Sequence, residues 1–288
     1  MKITMSFNLR FAYLSLLLAF LFCLYSNFAW ALPGDLTVKF LDVGQGDSIL
    51  INTPNGRNIV VDGGPGTAVM ERLGEETSFW LKNLDLIVLT HPDLDHLEGL
   101  LEIMKRYRVK QILLTGVNHK SELYKVFLKT LRSENTDIYL ADPGQDWLLD
   151  QDVYLDILAP NISVALAEVE NVNDSSIVAK LVYKDTSLLL SGDAEKNAEQ
   201  EILLTDYDLG SDILKAGHHG SKTSSTVNYL NAVRPKDAIV MAGRDNQYNH
   251  PHLETVLKYD EMGIGWRTTK EEGTIMVSSD GGNWGYNY

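Results

Sequence analysis

The stretch LTHPDLDHLEGL, residues 89–100, sets two histidines and two aspartates within six positions at the end of an apolar run. Acids and imidazoles crowded this closely carry an electrostatic and desolvation cost that a cation between them would remove. In an extended loop His91 and Asp93 point to one side, and a helix beginning near Asp95 turns Asp95 and His96 back toward them. Imidazole and carboxylate are donors that divalent ions accept. Capping of the next helix by Asp95 is the plainer use of the stretch, but it accounts for one residue of the four.

Around this stretch the chain alternates strand and helix. LDLIVLT (84–90) reads as a buried strand that delivers the motif at its C-terminal end. Upstream, LTVKFLDVG (36–44), SILIN (48–52) and IVVDGG (59–64) read as strands, the last two joined by the turn TPNGRN, and a helix is expected over about 70–82. Downstream come LEGLLEIMKRY as helix, VKQILLTG as strand, SELYKVFLKTLRS as helix and DIYLA as strand. In the second half DVYLDILAP, SIVAKLVY and SLLLSGD read as a hairpin-rich sheet, followed by alternating helices and strands up to GTIMVSS. Two mixed halves of this kind predict an α/β fold in which two sheets pack face to face with helices outside, and ligand groups collect in loops at one edge.

The histidines support that edge. Apart from His119, all of them lie in three strand-end loops: the opening motif, GHHGS (217–221) and NHPH (249–252). Asp193 ends the strand SLLLSGD, and Asp47 and Asp62 follow strands near the same edge, either orienting a ligating histidine or simply forming turns. Gly44, Gly46, Gly63 and Gly64 serve either close backbone approach or ordinary tight turns.

Residues 1–31 read as an export signal: Lys2 and Arg10, an apolar run from Phe11 to Tyr25, and a small-x-small site at Ala29 and Ala31. Cleavage there leaves residues 32–288 as a single domain with no stable membrane span, secreted or periplasmic; an uncleaved anchor is the alternative. Losing Lys2 and Arg10 takes the net charge from −14 to −16 and losing Cys23 removes the single cysteine, so thiol chemistry and disulfides are excluded from the remaining chain. An acidic surface disfavours long-range capture of polyanions, and nucleic acid would have to be held locally.

The ordered set FLDVGQGDSILI, VDGG, LTHPDLDHLEGL, NDSSIVAKL, LLLSGDAE, LKAGHHGSKTS and NHPH resembles the metallo-β-lactamase-fold domain at the C-terminus of the DNA-uptake channel protein ComEC, here without the channel. The resemblance spans Leu36 to Val277 and implies an αββα four-layer sandwich. Asp93 stands where the wider superfamily has a second histidine, as in the ComEC branch. By motif, His91 and Asp93 are expected at one metal, Asp95 and His96 at a second, with Asp193 bridging; His218 and His250 are expected to complete the two sites, in an order the sequence leaves open. Asn173 and Asp174 fall where zinc-using relatives carry a histidine, so the first site is expected to be the weaker.

The cofactors expected are two divalent ions: oxygen-rich ligands shift the preference toward Mn²⁺ or Mg²⁺ relative to histidine-rich zinc sites, with Mn²⁺ expected first and Zn²⁺ the tighter-binding competitor. The function expected is a phosphodiesterase, a DNase first, whose nucleophile is hydroxide held between the ions; Asp95 and His219 are the expected catalytic residues, His219 as proton shuttle. Ser221, Lys222 and Asn173 are the expected substrate contacts, the partner being DNA or another phosphodiester. Hydrolysis of a small ester (a phosphocholine ester, a cyclic nucleotide or a lactone) is the alternative, and a non-catalytic DNA-uptake accessory domain the third reading.

Overall fold

The computed structural model describes residues 15–16, 34–134, 136–160 and 164–287, so the expected leader lies almost wholly outside the described residues. Within the unit Asp35–Tyr288, alternation decides the first strand. Leu36, Val38 and Phe40 of β1 (Leu36–Phe40) are fully buried between two sheets, while Thr37 and Lys39 face outward. Strands β2 (Ile49–Asn52) and β3 (Asn58–Val61) form the expected hairpin, with Ile51 opposite Ile59.

Parallel strands β4 (Asn83–Leu89), β5 (Arg108–Leu114) and β6 (Asp137–Leu140) follow, connected by α1 (Ala68–Glu76), α2 (Leu94–Arg106) and α3 (Glu122–Ser133). The second sheet opens with an antiparallel meander of β7 (Asp146–Asp150), β8 (Val153–Ala159), β9 (Val178–Tyr183) and β10 (Thr186–Leu190). It continues in parallel through β11 (Ile213–Lys215), β12 (Asp237–Val240) and β13 (Gly265–Thr268). The connections carry α4 (Lys196–Leu203), α5 (Val227–Val233) and α6 (Leu253–Met262), and α7 (Thr269–Glu272) leads out. Finally β14 (Ile275–Ser279) and β15 (Trp284–Asn287) return to the first sheet beside β1, giving the orders β15-β14-β1-β2-β3-β4-β5-β6 and β13-β12-β11-β10-β9-β8-β7.

Three apolar clusters define four layers. One lies between the sheets; a second joins the outer face of the first sheet to α1, α2 and α3; a third joins the outer face of the second sheet to α4, α5 and α6. This is the αββα sandwich that the residue patterns and the resemblance anticipate. Asp150 pins the two sheets at one corner: its carboxylate accepts from Thr53 Oγ1 (2.5 Å), the Asn55 amide (2.9 Å) and Asn55 Nδ2 (2.8 Å), tying the β2–β3 turn to the β7–β8 hairpin.

Some boundaries differ from expectation. Helix α1 ends at Glu76 because Thr77 is extended (φ −127°, ψ 161°) and its hydroxyl donates to the Leu73 carbonyl, which leaves Phe79 and Trp80 exposed beyond it. Strand β1 stops at Phe40 because the chain turns at once into the loop that carries Asp47. Among the described residues, no helix is long and apolar enough to cross a membrane.

Candidate metal centre

Strand ends build the site. Asp62 follows β3, His91 follows β4, Asp193 follows β10, and the turn 217–220 follows β11. At the start of α2 the N-cap position is Asp93 rather than Asp95, and it makes no side-chain cap, so neither carboxylate is used up on the helix. Asp62 instead accepts from the amide of Thr90 (2.8 Å), from its hydroxyl (2.6 Å) and from His96 Nδ1 (2.8 Å). With its one hydrogen given to Asp62, the Thr90 hydroxyl accepts from His91 Nδ1 at 3.1 Å. His219 Nδ1 donates to the Met241 carbonyl at 3.0 Å, with Asp47 Oδ1 at 3.2 Å.

Each ring is thus held through Nδ1. The Nε2 atoms of His91, His96 and His219 are buried and have no hydrogen-bond partner, a costly arrangement unless another group engages them. His96 Nε2 lies 3.3 Å from Asp193 Oδ2; His219 Nε2 lies 3.2 Å from Asp193 Oδ2 and 3.2 Å from Asp95 Oδ2. Ligands at about 2.0–2.2 Å from a divalent ion stand roughly 3.0–3.5 Å from one another, the spacing of these three contacts, and ligand atoms of Asp95, His96 and His219 lie within 4.8 Å of one another, a set that could hold one ion. A second location is defined by His91 Nε2, which groups with His96 and Asp193 and lies 3.8 Å from Asp93 Oδ2.

The charges follow from this crowding. Burial disfavours ionisation, but Asp193 and Asp62 raise His96, and Asp193 and Asp47 raise His219, well above the ordinary imidazole range. The same contacts overcome burial to hold Asp193 well below the carboxylate range, and the nearby His219, with His96, does so for Asp95. Protons and a cation therefore compete for the same Nε2 lone pairs. Burial, then His96, pushes His91 down to about 3, and burial with His219 and His218 pushes His250 down to about 4, so both are neutral at neutral pH.

The structure places His219, rather than His218, among the four donors. His218 is a quarter exposed; its Nδ1 lies 2.8 Å from Glu195 Oε1 and its Nε2 4.0 Å from Asp193 Oδ2. His250 stands at the edge, its ring centred 5.5 Å from that of His218 and 6.1 Å from that of His219, with Nδ1 3.4 Å from Gln45 Nε2. Ser221 is buried and bonded within its own loop to Thr223 (2.9 Å). The Lys222 amide donates to His252 Nδ1 (3.0 Å), and Asn173 Nδ2 donates to Glu195 at 3.4 Å.

Two further charged residues complete the cluster. Asp47 is buried beside His219, and Lys215, fully buried at the end of β11, ion-pairs with Asp47 and donates to the Gly192 carbonyl at 2.8 Å. The sequence signal for Lys215 is an ionisable residue inside the apolar run DILKAG. Two glycines allow the approach: a Cβ on Gly63 would strike the backbone of Leu100, and one on Gly46 the carbonyl of Asp95. The loops bearing Asp62 and Asp47 thereby lie directly on α2.

Fold and site together define a metal-dependent hydrolase scaffold of two sheets with a His/Asp cluster at one rim. A family model described as the metallo-beta-lactamase superfamily matches residues 41–244, and the chain belongs to that superfamily. It is 32% identical to ComE operon protein 3 of Bacillus subtilis over 83% of this chain and 32% of that protein. It is 31% identical to Recombination protein 2 of Haemophilus influenzae over 84% of this chain and 28% of that protein. The chain thus spans about a third of the length of these relatives. Among solved structures, the metallo-β-lactamase fold protein YhfI of Bacillus subtilis superposes with a TM-score of 0.51 at 11% identity, over 81% of this chain and 95% of that one, a likeness of fold.

Proposed function

We propose that the chain is an exported metal-dependent phosphodiesterase that hydrolyses DNA. The observation that carries the reading is the four-donor set of Asp95, His96, Asp193 and His219, whose neighbouring donor atoms stand 3.2–3.3 Å apart with buried, unpartnered Nε2 atoms turned inward. In this reading Asp95, His96 and His219 would hold one divalent ion, His91 and Asp93 would hold the other, and Asp193 would serve both. Two such ions, when bound, polarise a phosphoryl oxygen and acidify water. The mixed oxygen and nitrogen donors favour Mn²⁺, with Zn²⁺ and Mg²⁺ as the competing occupants.

The chain's own groups supply the rest. Asp62, Thr90 and Asp47, with the Met241 carbonyl, fix the ring tautomers, so each Nε2 lone pair is free to face the ion it would hold. His218, a quarter exposed with Nδ1 2.8 Å from Glu195 Oε1, is proposed to give a proton to the leaving oxygen, the role that sequence assigns to His219. A polymer substrate suits the surroundings. Clefts of about 610 and 470 Å³ are lined by residues such as Glu76 and Arg267, and Glu170 and Glu201, and by no member of the cluster. At the cluster, exposed Leu94, Tyr248 and Leu253 lie within two residues of Asp93, Asp95, His250 and His252, and the Tyr248 ring stacks on His250 at 5.6 Å. Apolar and π faces beside an ion centre suit a phosphodiester that carries bases. Resemblance to ComEC and the name of Recombination protein 2 point to the same substrate.

The test is turnover of end-labelled single- and double-stranded DNA by purified protein with Mn²⁺, Mg²⁺ or Zn²⁺. Hydrolysis that disappears in D95A and H96A is expected, and metal-loaded protein that leaves DNA intact would refute the reading. The net charge of −14 favours a small ester as the second reading, and a panel of small esters assayed beside DNA separates the two.

A further inference from the structure

Lysine is almost never fully buried without a partner, yet Lys215 has no exposed surface. Its ammonium donates to the Gly192 carbonyl at 2.8 Å, ion-pairs with Asp47, and lies 3.6 Å from Asp193 Oδ1. Asp193 is therefore divided: Oδ2 faces His96 and His219, and Oδ1, which has no hydrogen-bond partner, faces the ammonium. Five carboxylates gather here, Asp47, Asp62, Asp93, Asp95 and Asp193, while the nearby Glu195 pairs with His218. Once His96 and His219 give up their protons, as ligation of a metal requires, five negative charges against one ammonium leave four, the charge that two divalent cations bring.

We propose that Lys215 is a counter-ion residue built into the centre, holding Asp47 and Asp193 in place and setting the remaining charge at that of two divalent cations. This rests on the reading of the cluster as a metal centre. The ammonium and the metals compensate the same carboxylates, so loss of one makes the fold depend more on the other. By linkage, metal binds more tightly once the ammonium is gone, provided the loops keep their places. A lysine that merely fills space would show no such coupling.

The experiment compares unfolding temperatures of wild type and K215M, each loaded with Mn²⁺ and stripped by chelator, with Mn²⁺ affinity measured by calorimetry. In stripped protein K215M is expected to lower Tm by on the order of 10 °C, since it leaves buried carboxylates uncompensated. In loaded protein the fall is expected to be less than about half as large, and Mn²⁺ is expected to bind K215M more tightly than wild type. Equal falls in the two states overturn the proposal while leaving the metal centre standing; a wild type that binds no Mn²⁺ overturns both. Should K215M fail to fold even when loaded, the double variant D47N/K215M decides. It removes the acid together with its partner, so recovery of a folded protein supports the proposal and continued failure overturns it.

Discussion

His218 and His219 are adjacent and chemically identical, and the backbone separates their roles. Both take left-handed φ, 45° and 53°, which turns one ring toward Glu195 and the other into the cluster. Substituting His219 by Asn is expected to cost about one bound Mn²⁺ per chain by elemental analysis, whereas H218N keeps the metal and loses turnover. Because His96 and His219 are held well above the ordinary imidazole range, metal uptake at neutral pH is expected to release about one to two protons, read from calorimetry in buffers of different ionisation enthalpy. That histidines and acids would meet at one rim is legible from their placement at strand ends. Which of two neighbouring histidines enters is not, because a pair of positive φ angles leaves no mark in the letters HHG. Lys215 is hard to read for a related reason: its meaning lies in Asp47 and Asp193, both distant in the chain.

At the scale of elements, the crossing of α2 over the loop after β3 is set by two glycines. A Cβ on Gly99 would collide with the Gly63 carbonyl. G99A is therefore expected to destabilise the fold by about 1–3 kcal/mol and to loosen His96 from Asp62, seen as a lower Tm together with weaker Mn²⁺ binding. The corner pinned by Asp150 makes a separate prediction about pH. Partly offset by burial, the hydrogen bonds from Thr53, Asn55 and Gln151 lower its carboxyl to about 2. A group depressed on folding adds stability above its unfolded value near 3.9, and that stability drains away as pH falls through the folded value. D150N is thus expected to cost about 1–2 kcal/mol at pH 7, and its denaturation curve should converge with that of wild type between about pH 4 and 2. Strands β1 to β6 are legible from local alternation and turn chemistry. The return of β14 to pair with β1, Val277 opposite Val38, is not, since pairing across most of the chain is chosen by burial of the whole sheet.

For the molecule as a whole, the net charge of −14 sets the approach of a polyanion. If DNA is the substrate, kcat/KM at fixed Mn²⁺ is expected to rise, not fall, as monovalent salt goes from about 0.01 to 0.15 M, because screening removes more repulsion than attraction. The cluster answers that field locally by concentrating groups that could hold cations where strands from both sheets end. The layered architecture was readable because each helix and strand buries one consistent face. The charge balance was not, since Asp47, Asp62 and Lys215 acquire their roles only through contact with distant segments.

Equilibrium dialysis against ⁵⁴Mn²⁺ tests the centre most directly. About two ions per wild-type chain are expected, and fewer than about one in D193N, where the shared carboxylate is lost. Wild-type protein that retains no Mn²⁺, or D193N that retains as much as wild type, would contradict that expectation.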